Sequence, residues 1–161
     1  MTARTVETTR SGGRHRSREV ALQVLYAADL GAGAEDGFAA AEESFERVAE
    51  NFDLPEGARI FAKELVCGVV ERREELDTLL AAHATNWRVS RMAAIDRNVL
   101  RLGSYELRYT ETPVSVVLDQ AIELARRFGA EPSPAFVNGV LDAVARDVRD
   151  PDAARAGGGA S

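Results

Sequence analysis

The spacing of apolar residues is the feature that most restricts the fold of this chain. Apolar side chains recur every three or four residues along most of the sequence, whereas sustained two-residue alternation rich in β-branched residues is scarce. This spacing is typical of amphipathic helices and predicts an all-α protein. The short loops favour a compact bundle of six or seven helices, grouped as two halves around the connection at residues 83–91. Six predicted helices cover about residues 14–30, 38–52, 55–82, 92–109, 112–128 and 133–150.

Glycine, proline and hydroxyl residues mark the ends of the C-terminal helices. Thr112 and Pro113 are suited to the cap and first turn of the fifth predicted helix. Gly129 follows that helix and is predicted to end it. Ser133 and Pro134 repeat the cap arrangement, so a sixth helix is expected to start there.

Length and composition favour one domain without disulfides. The chain has 161 residues and a single cysteine, Cys67, so a helical domain at 14–150 and a reducing compartment are expected. We expect residues 1–13 to form a flexible extension and residues 151–161 a disordered tail, because the tail has nothing to bury. No run approaches the roughly 20 apolar residues of a membrane span, and the N-terminus lacks an apolar signal segment. The sequence therefore predicts a cytoplasmic protein with no membrane partner.

Positive charge is concentrated at the start of an otherwise acidic chain. Residues 1–18 hold five arginines and one glutamate, a net charge of 5 − 1 = +4, although the whole chain carries −6. Arg14, Arg16 and Arg18, with His15 between them, stand where a helix N-terminus favours anions and disfavours cations. This placement indicates either a solvated, disordered arm or a site that binds an anion such as RNA.

Motifs that carry chemistry are scarce elsewhere. His15 and His83 are far apart in sequence, and neither a zinc pattern nor a phosphate-binding loop is present. The sequence therefore predicts a protein that is not an enzyme and has no cofactor or metal. Tyr26, Phe128 and Phe136 are candidate platforms for stacking RNA bases, although aromatic residues in such positions are more often core residues than platforms.

Four stretches carry a resemblance to a known family. They are "GRHRSREVALQVLY" at 13–26, "IDRNVLRLGSYEL" at 95–107, "AIELARRFG" at 121–129 and "FVNGVLD" at 136–142. Together they resemble the transcription antitermination factor NusB family. The resemblance implies an all-helical fold of two packed helical subdomains without catalysis. It also implies binding to single-stranded boxA-type RNA of ribosomal RNA leaders together with NusE, a small-subunit ribosomal protein, within an RNA polymerase antitermination complex.

The resemblance also assigns residues. Arg14, Arg16 and Arg18 align with the basic motif of the family, and Tyr26 with an aromatic residue later in the same helix, which implies a role in RNA binding. His15 stands where the family has a further arginine. A histidine is mostly uncharged near neutral pH, so this difference weakens the expected affinity for phosphate.

A second group of aligned residues implies the protein partner. Asp96, Arg97 and Glu106 fall in the region that the family presents to NusE. Two other interpretations stay open: a helical adaptor that binds only protein, and an RNA-binding module related to that of ribosomal RNA methyltransferases. The second would require a glycine-rich cofactor loop in an α/β domain if the enzyme were complete, and this chain has no room for one.

Overall fold

The computed structural model describes the backbone of residues 2–31 and 37–149, and the side chains of residues 13–31 and 41–149. Its described residues form α-helices and one 3₁₀ turn, Val89–Arg91, without a strand, which confirms the predicted fold class. No helix in these ranges combines the length and apolar character that a membrane crossing needs. The helices are α1 Thr2–Leu30, α2 Gly37–Ala49, α3 Glu56–Glu71, α4 Arg73–His83, α5 Ala94–Tyr109, α6 Val114–Phe128 and α7 Ser133–Arg149.

Helix α1 begins at Thr2, although the sequence predicts a start near Arg14 after a flexible extension. Gly12 and Gly13 are poor helix formers, each about 1 kcal/mol worse than alanine. This cost does not forbid helical angles, and lengthening an existing helix needs no new nucleus. The structure continues the helix through residues 2–13. The tail predicted at 151–161 lies outside the described residues.

The long helix predicted over residues 55–82 is two helices, because Arg72 leaves helical geometry with φ −110° and ψ 21°. The Leu76 N–H still donates to the Arg72 carbonyl at 2.9 Å, so the chain resumes a helix at once. Apolar spacing cannot reveal a break of one residue. The chain divides into two helical units at this point, residues 1–71 and 72–161, and not at the connection 83–91 as predicted.

The N-terminal unit has its core between α1, α2 and α3. Each of these helices packs against the other two. The apolar stripe of α1 lies fully inside, as its three- and four-residue spacing predicts. The buried side chains include Val20, Leu22, Val24, Leu25, Phe45, Leu65, Val66 and Val69.

The C-terminal unit is built around α5, which contacts α4, α6 and α7. Gly103 permits the close approach of α7, because a Cβ atom at this position would lie 2.7 Å from Leu141 Cδ1. The core therefore depends on a glycine in the middle of its central helix. The surrounding buried side chains include Leu76, Leu80, Val99, Leu100, Leu102, Leu107, Val117, Leu124, Val137 and Val144.

Helix α6 begins at Val114, with Pro113 at its N-cap position and no hydrogen bond from a capping side chain. The prediction that Thr112 caps this helix is therefore wrong. Thr112 Oγ1 lies 3.1 Å from Thr110 Oγ1 and 3.5 Å from Glu106 Oε1, so its hydroxyl is engaged with the end of α5 instead.

Candidate nucleic-acid interface and partner surface

Two arginines of α1 share one aromatic ring of α3. The guanidinium carbon of Arg14 lies 4.8 Å from the centroid of the Phe61 ring, and that of Arg18 lies 5.4 Å from it. Both are cation–π distances, and the ring face attracts each cation. Arg14 is exposed, whereas Arg18 is only 3% exposed. Phe61 therefore holds one guanidinium at the surface and a second one beneath it.

Ser17 joins α1 to α3 beside this cluster. Its Oγ lies 2.7 Å from the carbonyl oxygens of both Gly13 and Ala58, so the hydroxyl can donate to either. The side chain is fully buried, and a buried hydroxyl is stabilised by such partners. This bond keeps the start of α1 in register with α3 and thereby places Arg14 over Phe61.

His15 and Arg16 lie between Arg14 and Ser17 on α1 but face away from the Phe61 ring. Residues one or two apart on a helix do not share a face. Arg16 is exposed and forms no ion pair with any residue whose side chain the structure describes. His15 is half-buried, with Nε2 2.8 Å from Oε1 of the buried Glu19. Among the described side chains of residues 13–18, the exposed cations are therefore Arg14 and Arg16.

Tyr26 lies on α1, two turns beyond Arg18, and is half-buried. A half-buried tyrosine has an apolar ring and a polar tip, so it can serve the core and the surface at once. The structure places it on the same helix as the arginines, as predicted. Its role in stacking stays a prediction.

The other two candidate aromatic residues belong to the C-terminal unit. Phe128 ends α6 and is half-buried, with the Arg127 guanidinium carbon 5.3 Å from its ring centroid. Phe136 lies in the first turn of α7, and its ring packs edge to face on Trp87, with 5.7 Å between centroids and 64° between planes. Phe128 therefore lies beside a cation and Phe136 beside another aromatic ring.

The loop between these phenylalanines is tightly built. The Ala130 N–H donates to Ser133 Oγ at 3.1 Å, and the Gly129 N–H donates to the Ala125 carbonyl at 2.9 Å. A Cβ atom at Gly129 would lie 2.7 Å from Ser133 Oγ and 2.7 Å from the Ala125 oxygen. Only glycine fits there, so this residue sets the path of the chain from α6 to α7.

The predicted partner residues at the start of α5 are half-buried. Arg97 Nη1 lies 3.3 Å from the Val89 oxygen, 3.4 Å from that of Ser90 and 3.1 Å from that of Met92. Its guanidinium therefore braces the 3₁₀ turn. Asp96 Oδ1 is buried and has no hydrogen-bond donor among the described residues.

Glu106, the third predicted partner residue, is only 2% exposed. Its Oε1 accepts from the Thr112 hydroxyl inside the C-terminal unit. A carboxylate in this position organises the loop after α5 and does not reach a partner surface. The structure thus separates Glu106 from Asp96 and Arg97, which the sequence grouped together.

The guanidinium groups of two further arginines bind other groups within the C-terminal unit. Arg101 is 6% exposed and forms a forked pair with Asp77, with Nε–Oδ1 at 2.7 Å and Nη2–Oδ2 at 2.9 Å. Arg149 Nη2 donates to the carbonyls of Thr110 at 2.7 Å and Thr112 at 2.9 Å. These contacts join α4 to α5 and the end of α7 to the loop after α5.

Glu75 on α4 carries a shifted pKa. A hydrogen bond from the Tyr109 hydroxyl lowers the pKa of this carboxyl, and a bond from Arg108 Nε at 2.8 Å acts in the same direction against partial burial. The Arg72 guanidinium carbon lies 4.3 Å from the centroid of the Tyr109 ring. The cluster is a solvent-exposed network of cations, one ring and one carboxylate.

Sequence reasoning missed two aromatic residues beside the candidate surfaces. Phe61 reads as an ordinary member of an apolar stripe, and only the packing of α3 on α1 brings it under Arg14. Trp87 stands in a connection without periodicity, where exposure cannot be inferred. Its position next to two arginines, in "WRVSR", is the signal that could have drawn attention to it.

Solved structures with this fold are described as antitermination factors. The two helical units of this chain and the basic start of α1 therefore place it in the class of small all-helical antitermination factors. A structure described as T. maritima NusB superposes with a TM-score of 0.73 at 31% identity, covering 83% of this chain and 90% of its own. Antitermination factors NusB and NusE in complex with double-stranded RNA include a chain that superposes with a TM-score of 0.72 at 32% identity, covering 84% and 97%.

The chain belongs to the NusB family, whose model matches residues 15–146. The transcription antitermination protein NusB of Anaeromyxobacter dehalogenans strain 2CP-1 is 50% identical over 134 residues, which are 82% of this chain and 89% of the relative. The protein of the same description from Koribacter versatilis is 44% identical over 142 residues, covering 88% and 94%. The resemblance inferred from the four sequence stretches is confirmed.

Proposed function

We propose that this chain is an antitermination factor that binds boxA-type RNA of ribosomal RNA leader transcripts together with NusE. The observation that carries the proposal is its likeness to a chain of the complex of antitermination factors NusB and NusE with double-stranded RNA, at 32% identity over 84% of this chain. The chain acts in the cytoplasm as a binding protein, within the RNA polymerase antitermination complex. It contributes contacts and not a catalytic step.

The RNA side of the proposal rests on the start of α1. Arg14 and Arg16 are exposed and can reach phosphates, and Phe61 restricts the guanidinium of Arg14 before RNA arrives. An arginine that is already held loses less side-chain entropy on binding. Arg18 supports the cluster from beneath, and we assign His15, whose Nε2 contacts Glu19, to the same RNA-binding segment.

Aromatic residues complete the proposed RNA contacts. Tyr26, Phe128 and Phe136 are each half-buried, so a ring edge or face remains in solvent while the rest is anchored in the helices. Rings anchored in this way suit unpaired bases, which stack on any aromatic face. These residues would add affinity without neutralising phosphates.

The partner side of the proposal rests on the start of α5. Asp96 is the residue that we assign to NusE, because it has a buried oxygen without a donor in the described part of the chain. Arg97 holds the neighbouring 3₁₀ turn in shape, and Glu106 acts from the interior. Asp96→Arg should weaken NusE binding about tenfold or more, since like charges placed at an interface are strongly unfavourable.

Calorimetry measures this effect, with Asp119→Arg as the matched control, because Asp119 is an exposed aspartate on α6 of the same unit. Asp96→Asn removes the charge with almost no change in volume, and circular dichroism checks the fold of each variant. Equal NusE affinity in all three variants and the parent chain would place the partner surface elsewhere.

The start of α1 offers only two exposed arginines among its described side chains, so we expect weak RNA binding by the chain alone. Log affinity for single strands falls with log salt at about −0.7 per neutralised phosphate, so the two contacts from α1 contribute about −1.4 to the slope. NusE would bring further cations, so we expect tighter binding and a steeper slope when it is present. By linkage, RNA should tighten NusE binding by the same factor.

The test is a titration of fluorescently labelled boxA RNA by anisotropy at several salt concentrations, with and without NusE. A scrambled single strand of equal length is the control for sequence preference. Equal affinities and equal slopes with and without NusE would show that the two ligands are not coupled. No binding of RNA under either condition would overturn the proposed function.

A further inference from the structure

We propose that Trp87 is a base-stacking platform for one unpaired nucleotide of the bound RNA, with Phe136 as the positioning residue behind it. The inference rests on the proposed function, because it assumes that single-stranded RNA is the ligand. Trp87 is the only tryptophan of the chain and is 58% exposed. A large aromatic ring with one face in solvent is the geometry that stacking on a base requires.

The ring of Trp87 is held in place before any ligand binds. It contacts the Phe136 ring edge to face at 5.7 Å between centroids, a distance that leaves no space for a base between the two rings. A base must therefore stack on the free face of Trp87. Phe136, half-buried at the start of α7, fixes the tilt of the platform.

The backbone around Trp87 is also braced. The Trp87 N–H donates to the Ala84 carbonyl at 3.1 Å, and the Arg91 N–H donates to the Arg88 carbonyl at 2.9 Å. Arg97 then ties down the carbonyls of the following turn, including that of Met92 at 3.1 Å. A braced loop loses little freedom when a ligand binds, so more of the stacking energy appears as affinity.

The charge around Trp87 favours RNA over an acidic or apolar protein segment. From residue 84 to residue 95 the chain has two arginines, Arg88 and Arg91, and no acidic residue. Both are exposed, and neither pairs with a carboxylate among the side chains that the structure describes. Arg88 and Arg91 lie one and four residues after Trp87, so the same segment supplies an indole that can stack on a base and guanidinium groups that can contact phosphates.

Tryptophan fluorescence tests the proposal directly, because Trp87 is the only emitter of its kind in the chain. Excitation at about 295 nm selects it, and stacking on a base quenches an indole. We expect the single-stranded boxA RNA to quench the emission in step with the anisotropy of the labelled RNA. A blunt duplex of the same sequence should quench less at equal occupancy, since its bases are already paired and stacked.

Variants separate stacking from charge. Trp87→Ala should weaken RNA affinity about 5- to 150-fold, the range that one lost stacked base implies, without changing the salt slope. Trp87→Phe keeps an aromatic face and should lose less. Arg88→Gln with Arg91→Gln should instead lower the magnitude of the salt slope by about 1.4. Phe136→Leu should shift the emission of free Trp87 and reduce its quenching by RNA.

The outcomes are distinguishable. RNA that binds without quenching Trp87, or a Trp87→Ala chain with full RNA affinity, would overturn this inference and leave the proposed function intact. Emission that changes on adding NusE alone and no further on adding RNA would assign Trp87 to a protein interface and would also overturn it. Trp87→Phe provides the baseline for any tryptophan of NusE. RNA that binds under no condition would overturn both proposals.

Discussion

The arginines at the start of α1 and those of the C-terminal unit carry the same charge but differ in what their guanidinium groups contact. Arg14 lies against an aromatic ring and Arg16 lies in solvent, so their hydrogen-bond donors remain available. Arg101 and Arg149 give theirs to a carboxylate and to backbone carbonyls. An arginine serves a ligand only when the fold leaves its donors unused.

The largest expected effect is the loss of stability on removing Arg101, whose guanidinium binds a carboxylate within the fold. We expect Arg101→Met to lower the free energy of unfolding by about 3 kcal/mol, because Asp77 loses its forked partner while it stays partly desolvated. The estimate is at the lower end for such pairs, since the Asp77 side chain is 30% exposed. Urea denaturation measures the change.

Arg16→Met is the matched control for that variant. Arg16 is exposed and forms no ion pair within the described side chains, so the loss should stay within about 0.5 kcal/mol. Equal losses in the two variants would show that arginines of the two units do not differ in their structural role.

The ligand side of the comparison is the double variant Arg14→Ala with Arg16→Ala. We expect RNA affinity to fall about tenfold, since each lost charged contact is worth about 0.7 kcal/mol or more. The salt slope should lose about 1.4 in magnitude, while helicity by circular dichroism stays unchanged. Filter binding at several salt concentrations measures both quantities.

Arg126→Ala with Arg146→Ala removes the same number of charges from the C-terminal unit. Both are exposed arginines in local pairs, Arg126 with Glu123 and Arg146 with Asp142 at 3.0 Å. If this double variant weakens RNA binding as much as the α1 variant, total charge and not the α1 site determines affinity.

Phe61→Leu tests whether Arg14 needs the aromatic ring, because it removes the ring while keeping apolar volume. The contact of the exposed Arg14 is worth about 0.5–1 kcal/mol and that of the buried Arg18 up to about 2 kcal/mol, so we expect a loss of about 1–2 kcal/mol in stability and a few-fold loss in RNA affinity. Phe52→Leu is the control, a half-buried phenylalanine of the same unit. Unchanged RNA affinity in Phe61→Leu would mean that Arg14 needs no ring beneath it.

The smallest expected effect concerns Glu75, whose cluster resembles that of Phe61 but includes a carboxylate. Its pKa is lowered in the folded state, chiefly by the Tyr109 hydrogen bond, so its contribution to stability is present above the unfolded pKa and is lost as pH falls through the folded one. The stability difference between the parent chain and Glu75→Gln should therefore shrink below about pH 4.5. Urea midpoints between pH 6 and pH 3 measure it. A constant difference across this range would contradict the assignment.

Much of the fold could be predicted from the sequence, because helical periodicity repeats over many residues and tolerates local errors. The C-terminal helices illustrate this: α6 ends at Phe128 and α7 begins at Ser133, as the spacing and the loop residues indicate. The break at Arg72 could not be seen, since one non-helical residue leaves the apolar spacing on either side intact. The boundary between the two units followed that break and was misplaced for the same reason.

Less of the candidate site could be predicted. The basic segment and the candidate aromatic residues are visible as residue types, but exposure is not. Arg14 and Arg18 have the same chemistry and lie one turn apart, yet the first is exposed and the second is buried. Glu106 reads as a surface carboxylate and is an interior hydrogen-bond acceptor instead.

The helical class, the approximate helices of the C-terminal half and the concentration of positive charge at the start of α1 follow from the sequence alone. These properties depend on residue spacing and composition along the chain, which need no knowledge of neighbours in space. Only the tertiary structure decided that Phe61 lies under Arg14, that Phe136 backs Trp87 and that Arg101 binds Asp77. The partners in these pairs are 24 to 49 residues apart in sequence, and only the packing of helices brings their side chains within contact distance.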